Sequence, residues 1–335
     1  MLGRILCASA ALVACTISGT ATAQRPMLET SAGGLVLKPV TGIDTRSENI
    51  FLSSEIVRVN YVFRNRGGQD RSAVVAFPMP DRNLFFEGEL NSEADDHISH
   101  IRDLVITVNG LQAQLKVERK ATHGPHDYTA LLTRLGIPLA PPIDAVRGPE
   151  HPVYLAWQRL RASDKAHLKR LNLISDGLGG GLAAHWQFEE TYSWTQTFPA
   201  GRDVRVELQY RPAIGFGTSA GHSSLFDPDG RGLRGQYCLK TASLRAVDRM
   251  LAAGGQNSPL AQTKINYILR PGRAPRRPIR QFRLVVDKGR AENIVSFCGG
   301  VVRRIGPTQY EMRRTNWRPD YDLQVLILSP APPSS

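Results

Sequence analysis

Residues 55–80, with the sequence EIVRVNYVFRNRGGQDRSAVVAFPMP, contain the pattern that decides the fold class. Apolar residues alternate with mainly polar ones in its first half: Val57, Val59, Tyr61 and Phe63 alternate with Arg58, Asn60, Val62 and Arg64. Side chains point alternately to the two faces of a β-strand, so this pattern predicts a half-buried strand with a polar outer face. Gly67-Gly68 predicts a turn and residues 72–77 predict a second strand, so we expect a hairpin.

A second turn is predicted at Asn109-Gly110, between two alternating runs. This dipeptide favours the positive φ angles of a type I′ hairpin turn. In the hairpin that it predicts, Val108 faces Leu111. One face then carries these apolar residues: Leu104, Ile106, Val108, Leu111, Ala113, Leu115 and Val117. Turn chemistry and burial pattern therefore agree on an antiparallel pair of strands.

The longest alternation covers residues 184–198 and precedes a second alternating run at 204–210, which predicts another hairpin. Its apolar face is aromatic and carries Trp186, Phe188, Tyr192, Trp194 and Phe198. Glu190 interrupts this face. A buried carboxylate must be paired or protonated, and such groups can mark functional sites. Two interpretations of Glu190 stay open, namely structural pairing with an arginine and a functional carboxylate in a pocket.

Residues 127–176 have helical periodicity, which predicts a helical insertion in a β-domain. The Gly- and Ser-rich residues 215–235 predict a linker. The sequence therefore predicts a mainly β fold with a minor helical part, built from two β-sandwich-like domains. The first covers 24–214 with its insertion, and the second covers 236–329 with one helix. Residues 330–335 are rich in Pro and Ser and are expected to form a disordered tail.

Residues 1–23 have the features of a signal peptide, with a short apolar run and an Ala21-Thr22-Ala23 cleavage site before Gln24. Residues 12–15 also fit a loose lipoprotein box, in which Cys15 would carry the lipid. No later apolar run is long enough to span a bilayer. We expect a periplasmic or secreted protein, either free or anchored through Cys15.

Cysteine usage fits export. After removal of the leader, Cys238 and Cys298 are the two that remain. In an exported chain they are expected to form a disulfide, which the chain-entropy model values at roughly 4 kcal/mol. A redox pair or a metal site is the alternative, but the sequence has no C-x-x-C motif and no nearby array of histidines.

The chain is basic, with 42 Lys and Arg against 30 Asp and Glu and a formal net charge of +12. The densest run of arginines consists of Arg270, Arg273, Arg276, Arg277 and Arg280. Such a run would attract anionic polymers or lipid headgroups of the cell envelope, although a solvated loop is the alternative. Nucleic acid is not expected as a partner, because export separates the protein from nucleic acid and no aromatic-and-basic motif is present.

Candidate catalytic and metal-binding residues form no complete constellation. Residues 217–221 match G-x-S-x-G around Ser219, but no amphipathic helix follows, as a nucleophile elbow requires. Asp227-Pro228-Asp229-Gly230 begins like a calcium loop, but position twelve would be Cys238. Two groups of histidines could bind a metal if they converge: His97 and His100 among Glu93, Asp95, Asp96 and Asp103, and His123 with His126. No H-E-x-x-H is present, and we expect no cofactor or metal.

Short motifs along most of the chain carry a family resemblance. They are Ala32-Gly33-Gly34-Leu35, Arg46-Ser47-Glu48, residues 74–80, Gly136-Ile137-Pro138-Leu139, Phe198-Pro199-Ala200-Gly201 with Tyr210, Ser296-Phe297-Cys298 and Asp322-Leu323. Together they resemble the bacterial exported family catalogued as domain of unknown function 4424. The resemblance implies location and architecture, and it implies no particular chemistry.

Residues 55–211 are also similar to the vault/inter-alpha-trypsin module, a β-sandwich used in assembly. That module commonly precedes a von Willebrand type A domain with a D-x-S-x-S metal motif. The motif is missing from this sequence, so a metal-dependent adhesion function does not carry over.

These observations predict a non-catalytic envelope protein that binds a partner protein or an anionic envelope polymer. Export, two sheet modules, a basic surface and the lack of a complete catalytic constellation support this interpretation. The alternative is a periplasmic hydrolase whose Glu, Asp or His residues form a site that no local motif reveals.

Overall fold

The computed structural model describes residues 31–32, 34–37, 42–80, 82–83, 101–140, 150–176, 182–220, 232–254, 260–269 and 278–330. The predicted signal peptide, Cys15 and the calcium-like loop at 227–230 lie outside these residues. The described chain is mainly β, as the sequence predicts. Within the described ranges, no helix combines the length and apolar character that a membrane span needs.

The elements are numbered in chain order. The strands are β1 (Ser31–Ala32), β2 (Val36–Leu37), β3 (Ile43–Leu52), β4 (Val57–Asn65), β5 (Arg71–Pro78), β6 (Arg82–Asn83), β7 (Arg102–Val108), β8 (Leu111–Gln112), β9 (Lys116–His123), β10 (His126–Asp127), β11 (Ile174–Asp176), β12 (Leu182–Ala184), β13 (Gln187–Phe198), β14 (Asp203–Arg211), β15 (Gly215–Ala220), β16 (Leu260–Tyr267), β17 (Ile279–Asp287), β18 (Ile294–Phe297), β19 (Val302–Arg304), β20 (Gln309–Trp317) and β21 (Leu323–Pro330). The helices are α1 (Thr129–Arg134), α2 (Pro152–Arg159), α3 (Ala162–Arg170), α4 (Leu233–Gln236) and α5 (Thr241–Gly254).

Three large sheets contain most of the strands. Sheet I has eight strands in the order β19-β20-β17-β3-β4-β14-β7-β8. Sheet II has the order β10-β9-β13-β5-β2, with β6 beside β13. Sheet III has the order β1-β16-β21-β18, with β15 beside β16. A separate two-stranded pair consists of β11 and β12.

Sheet I joins the two halves of the chain. Its strand β17 pairs in parallel with β3, so that Leu284 lies opposite Ile50. Strands from both sides of residues 215–235 therefore share one sheet. The division into two domains stays a prediction. In the structure, sheet I contains strands from both of the predicted domains. The expectation that 215–235 is a linker is wrong at both ends, because β15 pairs with β16 at its start and α4 begins at Leu233.

Both long hairpins expected from the sequence are replaced by crossings between sheets. Strand β4 pairs with β3 and β14 in sheet I, whereas β5 pairs with β13 and β2 in sheet II. In the same way, β13 belongs to sheet II and the strand that follows it, β14, belongs to sheet I. Burial alternates along these strands as predicted. Alternation specifies which face is buried but does not specify the pairing partner.

The turn at Asn109-Gly110 is present, with φ angles of 50° and 83°. Val108 pairs with Leu111 as predicted. The ladder ends at Gln112, however, and the chain then enters β9 of sheet II. The N–H of Ala113 still donates to the carbonyl oxygen of Ile106 at 3.0 Å, as the predicted register requires. The longer hairpin expected from the sequence is wrong beyond that point, because Lys116 begins β9. Leu111 is 77% exposed, so it lies outside the core that the pattern predicted.

The main core lies between sheet I and the other two sheets. It includes Phe77 and Phe198 from sheet II, Leu284 and Met312 from sheet I, and Val325 from sheet III. Burying a side chain of this size contributes about 1.5–3 kcal/mol, so this cluster supplies much of the stability.

Strand β21 has two buried faces. Val325 and Ile327 face the main core, whereas Leu326 and Leu328 face a second cluster that includes Val247 of α5. Sheet III is therefore covered by α5 on the side away from the main core.

A third cluster belongs to the helical insertion. It packs α1–α3 around Leu132, Leu168 and the fully buried Trp186. The Nε1 of Trp186 donates a hydrogen bond of 2.7 Å to the carbonyl oxygen of Leu139. The helices lie within the predicted range 127–176, and their apolar faces meet one another as helical periodicity predicts.

Candidate functional site

An arginine-lined pocket lies at one end of the outer face of sheet I. Its volume is about 390 Å³, and its lining residues are Asp44, Arg46, Arg64, Arg66 and Arg280. Four of the five are arginines and one is an aspartate, so the ligand groups that this pocket favours are polar and anionic. We refer to it as the arginine pocket.

Pairing of three strands brings the arginines together. Arg64 of β4 points outward because its neighbour Phe63 points into the core, where it is 2% exposed. Asp44 of β3 is the cross-strand partner of Arg64. Arg280 lies on β17, the strand on the other side of β3. The pocket therefore depends on the parallel β3–β17 pair.

Arg46 occupies a β-bulge. The β3–β4 register passes from Thr45 opposite Phe63 directly to Ser47 opposite Val62, so Arg46 is the extra residue. Asp44 lines the pocket two residues earlier, so regular alternation already places Arg46 on the same face. The bulge shifts the alternation after Arg46, so that Glu48 and Ile50 are buried.

Asp203 on the neighbouring strand β14 holds two of the arginines. Its Oδ2 accepts from Nη1 of Arg46 at 2.9 Å, and its Oδ1 accepts from Nη1 of Arg64 at 3.0 Å. Asp44 Oδ2 lies 2.5 Å from Nε of Arg66. Each of these contacts uses a single guanidinium nitrogen, whereas a guanidinium carries five N–H donors. Carboxylates thus orient Arg46, Arg64 and Arg66, and each guanidinium has N–H donors beyond the one used in these contacts.

Of the predicted run of basic residues, Arg280 is exposed and lines the pocket. The other members, Arg270, Arg273, Arg276 and Arg277, lie outside the described residues. A polyanion contact through this run stays a prediction, and Arg46, Arg64 and Arg66 are additions that the sequence interpretation missed.

Glu190 forms the arginine pair that one of its two interpretations required. Its Oε2 accepts from Nε of Arg119, its cross-strand partner, at 2.7 Å. Its Oε1 accepts from the hydroxyl of Tyr192, also at 2.7 Å. Burial, followed by this hydrogen bond, raises the pKa of Tyr192 to about 12. The geometry is that of a structural ion pair, and a functional role for Glu190 stays a prediction.

The structure places the other predicted site residues in different parts of the fold. Cys238 and Cys298 form the expected disulfide, with a Cα–Cα distance of 5.1 Å. Ser219 lies within strand β15 rather than at a strand–helix turn. Asp103 pairs with Arg211 at 3.1 Å. The other members of its acidic stretch, His97, His100, Glu93, Asp95 and Asp96, lie outside the described residues.

His123 and His126 are cross-strand partners in β9 and β10. His123 Nδ1 lies 2.6 Å from the carbonyl oxygen of His185. In the part of the chain that the structure describes, no three His, Cys, Asp or Glu side chains are grouped as a metal site requires.

One contact that the sequence interpretation missed joins Ser175 to His185. The Oγ of Ser175 lies 2.7 Å from Nε2 of His185. Burial lowers the pKa of His185, and the neighbouring His123 lowers it further. The contact links β11 to the residue just after β12, so no local motif could have revealed it.

A buried carboxyl group was also missed. Glu48 is fully buried on β3, opposite Tyr61 of β4 and Phe282 of β17. Its charge contributes to raising the pKa of Tyr267, after burial and Tyr61. Glu48 lies two residues before the buried Ile50 on β3, so both side chains fall on the same face. This two-residue spacing is the sequence signal that could have identified Glu48 as buried.

A family model described as "Domain of unknown function (DUF4424)" matches residues 23–326. The chain belongs to this family. No match was found among curated proteins. The family motifs in the sequence include Arg46 of the pocket, the buried Glu48 and Asp322. The Oδ1 of Asp322 accepts a hydrogen bond of 3.0 Å from the backbone N–H of Leu269.

Two solved structures resemble the DUF4424 chain only distantly. A candidate nutrient-binding protein from Legionella pneumophila has a TM-score of 0.41 and 13% identity, over 89% of this chain and 70% of that one. The M1 zinc metallopeptidase from Deinococcus radiodurans has a TM-score of 0.22 and 9% identity, over 86% of this chain and 42% of that one. At these values neither likeness carries an argument about function.

Proposed function

We propose that this chain is an exported, non-catalytic binding protein that holds an anionic group of a partner protein or envelope polymer in its arginine pocket. The observation that carries the proposal is the pair of guanidiniums, Arg46 and Arg64, fixed by the two oxygens of Asp203. Oriented arginines are well suited to bidentate recognition of carboxylate or phosphate.

Export is part of the proposal. The features of residues 1–23 support it, and the Cys238–Cys298 disulfide is typical of an oxidising compartment. The periplasmic or secreted location, the alternative lipid anchor at Cys15 and the similarity of residues 55–211 to the vault/inter-alpha-trypsin module belong to the same proposal. Cross-linking in intact cells followed by mass spectrometry would identify a partner.

The pocket itself can be tested with immobilised polyphosphate and polyglutamate as polyanion probes. The double variant Arg46→Gln/Arg64→Gln is compared with Arg58→Gln/Arg205→Gln, which removes the same charge from exposed arginines elsewhere on the outer face of sheet I. We expect at least about tenfold weaker binding for the pocket variant and less than about threefold for the control. Equal losses would mean that binding follows overall charge, and the proposal would then be rejected.

A hydrolase is the second candidate function, and the Ser175–His185 contact favours it. A neutral histidine within hydrogen-bond reach can act as a general base. It would accept the hydroxyl proton of Ser175 and so activate the serine as a nucleophile. The lowered pKa of His185 favours that neutral form near pH 7. A fluorophosphonate probe that labels the wild type but not Ser175→Ala would support this function. Absence of labelling at Ser175 would remove it.

A further inference from the structure

We infer that the arginine pocket selects a phosphomonoester group, with Arg46 and Arg64 as ligands and Asp203 as the residue that positions them. The inference rests on the proposed function and deepens it by naming the chemical class of the ligand.

The charge of the site matches a dianion. Four lining arginines carry four positive charges, and Asp44 and Asp203 carry two negative ones, which leaves a net charge of +2. A phosphomonoester carries about −1.5 to −2 at pH 7. A carboxylate or a phosphodiester carries a single negative charge and would leave the site positively charged.

The donors are arranged around a small polar volume. Arg46 and Arg64 come from neighbouring strands, and both bind Asp203 through Nη1 alone. Since a guanidinium has two further nitrogens, each arginine keeps a donor edge for a second acceptor. Three terminal oxygens of a phosphomonoester can accept from several such edges, which bidentate arginine–phosphate pairs exploit.

The shape of the pocket admits a substituted phosphate. Its volume of about 390 Å³ is at the lower end of the range for ligand pockets. Arg46, Arg66 and Arg280 are exposed, so the pocket opens to solvent at the surface of sheet I. A phosphate attached to a sugar or a lipid headgroup could therefore enter with the rest of the molecule outside.

The first experiment is titration calorimetry of the full mature chain at pH 7.5 and low salt with four probes: methyl phosphate, inorganic phosphate, dimethyl phosphate and acetate. We expect methyl phosphate to bind at least about tenfold more tightly than dimethyl phosphate or acetate. Binding should weaken as the pH falls below about 6, because the phosphate dianion takes up a proton there and becomes a monoanion. Inorganic phosphate binding more tightly than methyl phosphate would assign the site to the free ion and overturn the ester assignment.

A second experiment separates positioning from charge. Asp203→Asn raises the positive charge of the pocket, so a site acting through net charge alone would bind methyl phosphate more tightly. Because Asp203 positions both arginines, we expect binding at least about fivefold weaker. The matched control is Glu207→Gln, the same charge change on an exposed residue of β14. Tighter binding by Asp203→Asn, with thermal unfolding unchanged, would overturn the positioning role.

The two proposals fail in different ways. Polyphosphate and polyglutamate could bind through Arg46 and Arg64 while methyl phosphate binds no more tightly than dimethyl phosphate or acetate. In that case the phosphomonoester inference is wrong and the binding function stands. If none of these probes depends on the two arginines, both are wrong.

Discussion

The side-chain amide nitrogen of Asn65 lies 2.8 Å from the carbonyl oxygen of Phe198 and joins the two crossings between sheets I and II. Asn65 ends β4, whose chain crosses to β5, and Phe198 ends β13, whose chain crosses to β14. The same amide nitrogen donates to the carbonyl oxygen of Gln69 at 2.9 Å. The Oδ1 of Asn65 accepts from the N–H of Gly67 at 2.9 Å. One fully buried side chain therefore ties both crossings together.

Asn65→Ala is expected to lower the free energy of unfolding by about 2–4 kcal/mol, because it removes three hydrogen bonds and leaves buried backbone groups without this partner. Urea unfolding at neutral pH measures the change. Asn60→Ala, an exposed asparagine on the same strand, serves as the control and should change the value by less than about 0.5 kcal/mol. Equal effects of the two variants would contradict the role assigned to Asn65.

The fold was predictable as far as local chemistry reaches. Alternation placed Val59 inward and Arg64 outward, and Asn109-Gly110 specified a turn. Strand pairing was not predictable in the same way, because a two-residue period fixes the buried face and leaves the neighbouring strand undetermined. The parallel pair of Ile50 with Leu284 joins segments far apart in the sequence, and nothing near either residue encodes it.

The arginine pocket shows the same limit. Arg280 belongs to a dense basic run, which is a feature visible in the sequence. Arg46 and Arg66 belong to no such run, and they meet Arg280 only because β3 pairs with both β4 and β17. A site assembled across three strands leaves no local spacing to recognise.

Tyr61→Phe tests a polar contact inside the main core. The hydroxyls of Tyr61 and Tyr267 lie 3.2 Å apart, and the Tyr61 hydroxyl also accepts from the backbone N–H of Leu35 at 3.3 Å. We expect Tyr61→Phe to cost about 1–3 kcal/mol and Tyr267→Phe to cost less, because only the former removes the acceptor for Leu35. The double variant, measured by urea unfolding, should be less destabilised than the sum of the two. Strict additivity would show that the hydroxyls are not coupled.

Gly34→Ala tests a close approach between backbone segments. A Cβ atom at Gly34 would lie 2.8 Å from the carbonyl oxygen of Ile268. This oxygen belongs to the backbone, so a side-chain rotation cannot relieve the clash. We expect a loss of about 1–3 kcal/mol from the resulting shift. Gly68→Ala is the matched control, because a Cβ there would meet no atom within 4 Å. A midpoint of thermal unfolding that falls for Gly68→Ala as much as for Gly34→Ala would argue against this explanation.

Glu311→Gln tests the acid sensitivity of sheet I. The Oε1 of Glu311 accepts from Nε of Arg283 at 2.7 Å, and its Oε2 accepts from Nε of Arg313 at 2.9 Å. Hydrogen bonds from Arg313 and then Arg283 lower the pKa of Glu311 to about 2. A carboxyl group with a lowered folded-state pKa contributes stability above its unfolded pKa of about 4.3, and that stability is lost as the pH falls toward about 2.

The wild type should therefore be more stable than Glu311→Gln at pH 7, and this difference should vanish near pH 2. We expect about 1 kcal/mol at pH 7, since the Arg283 and Arg313 side chains are 42% and 67% exposed and solvent screens the pairs. Urea unfolding at pH 7, 4, 3 and 2 measures the difference, with Glu207→Gln as an exposed control expected to stay within about 0.5 kcal/mol throughout. A difference that persists unchanged at pH 2 would mean that Glu311 acts through packing rather than through its charge.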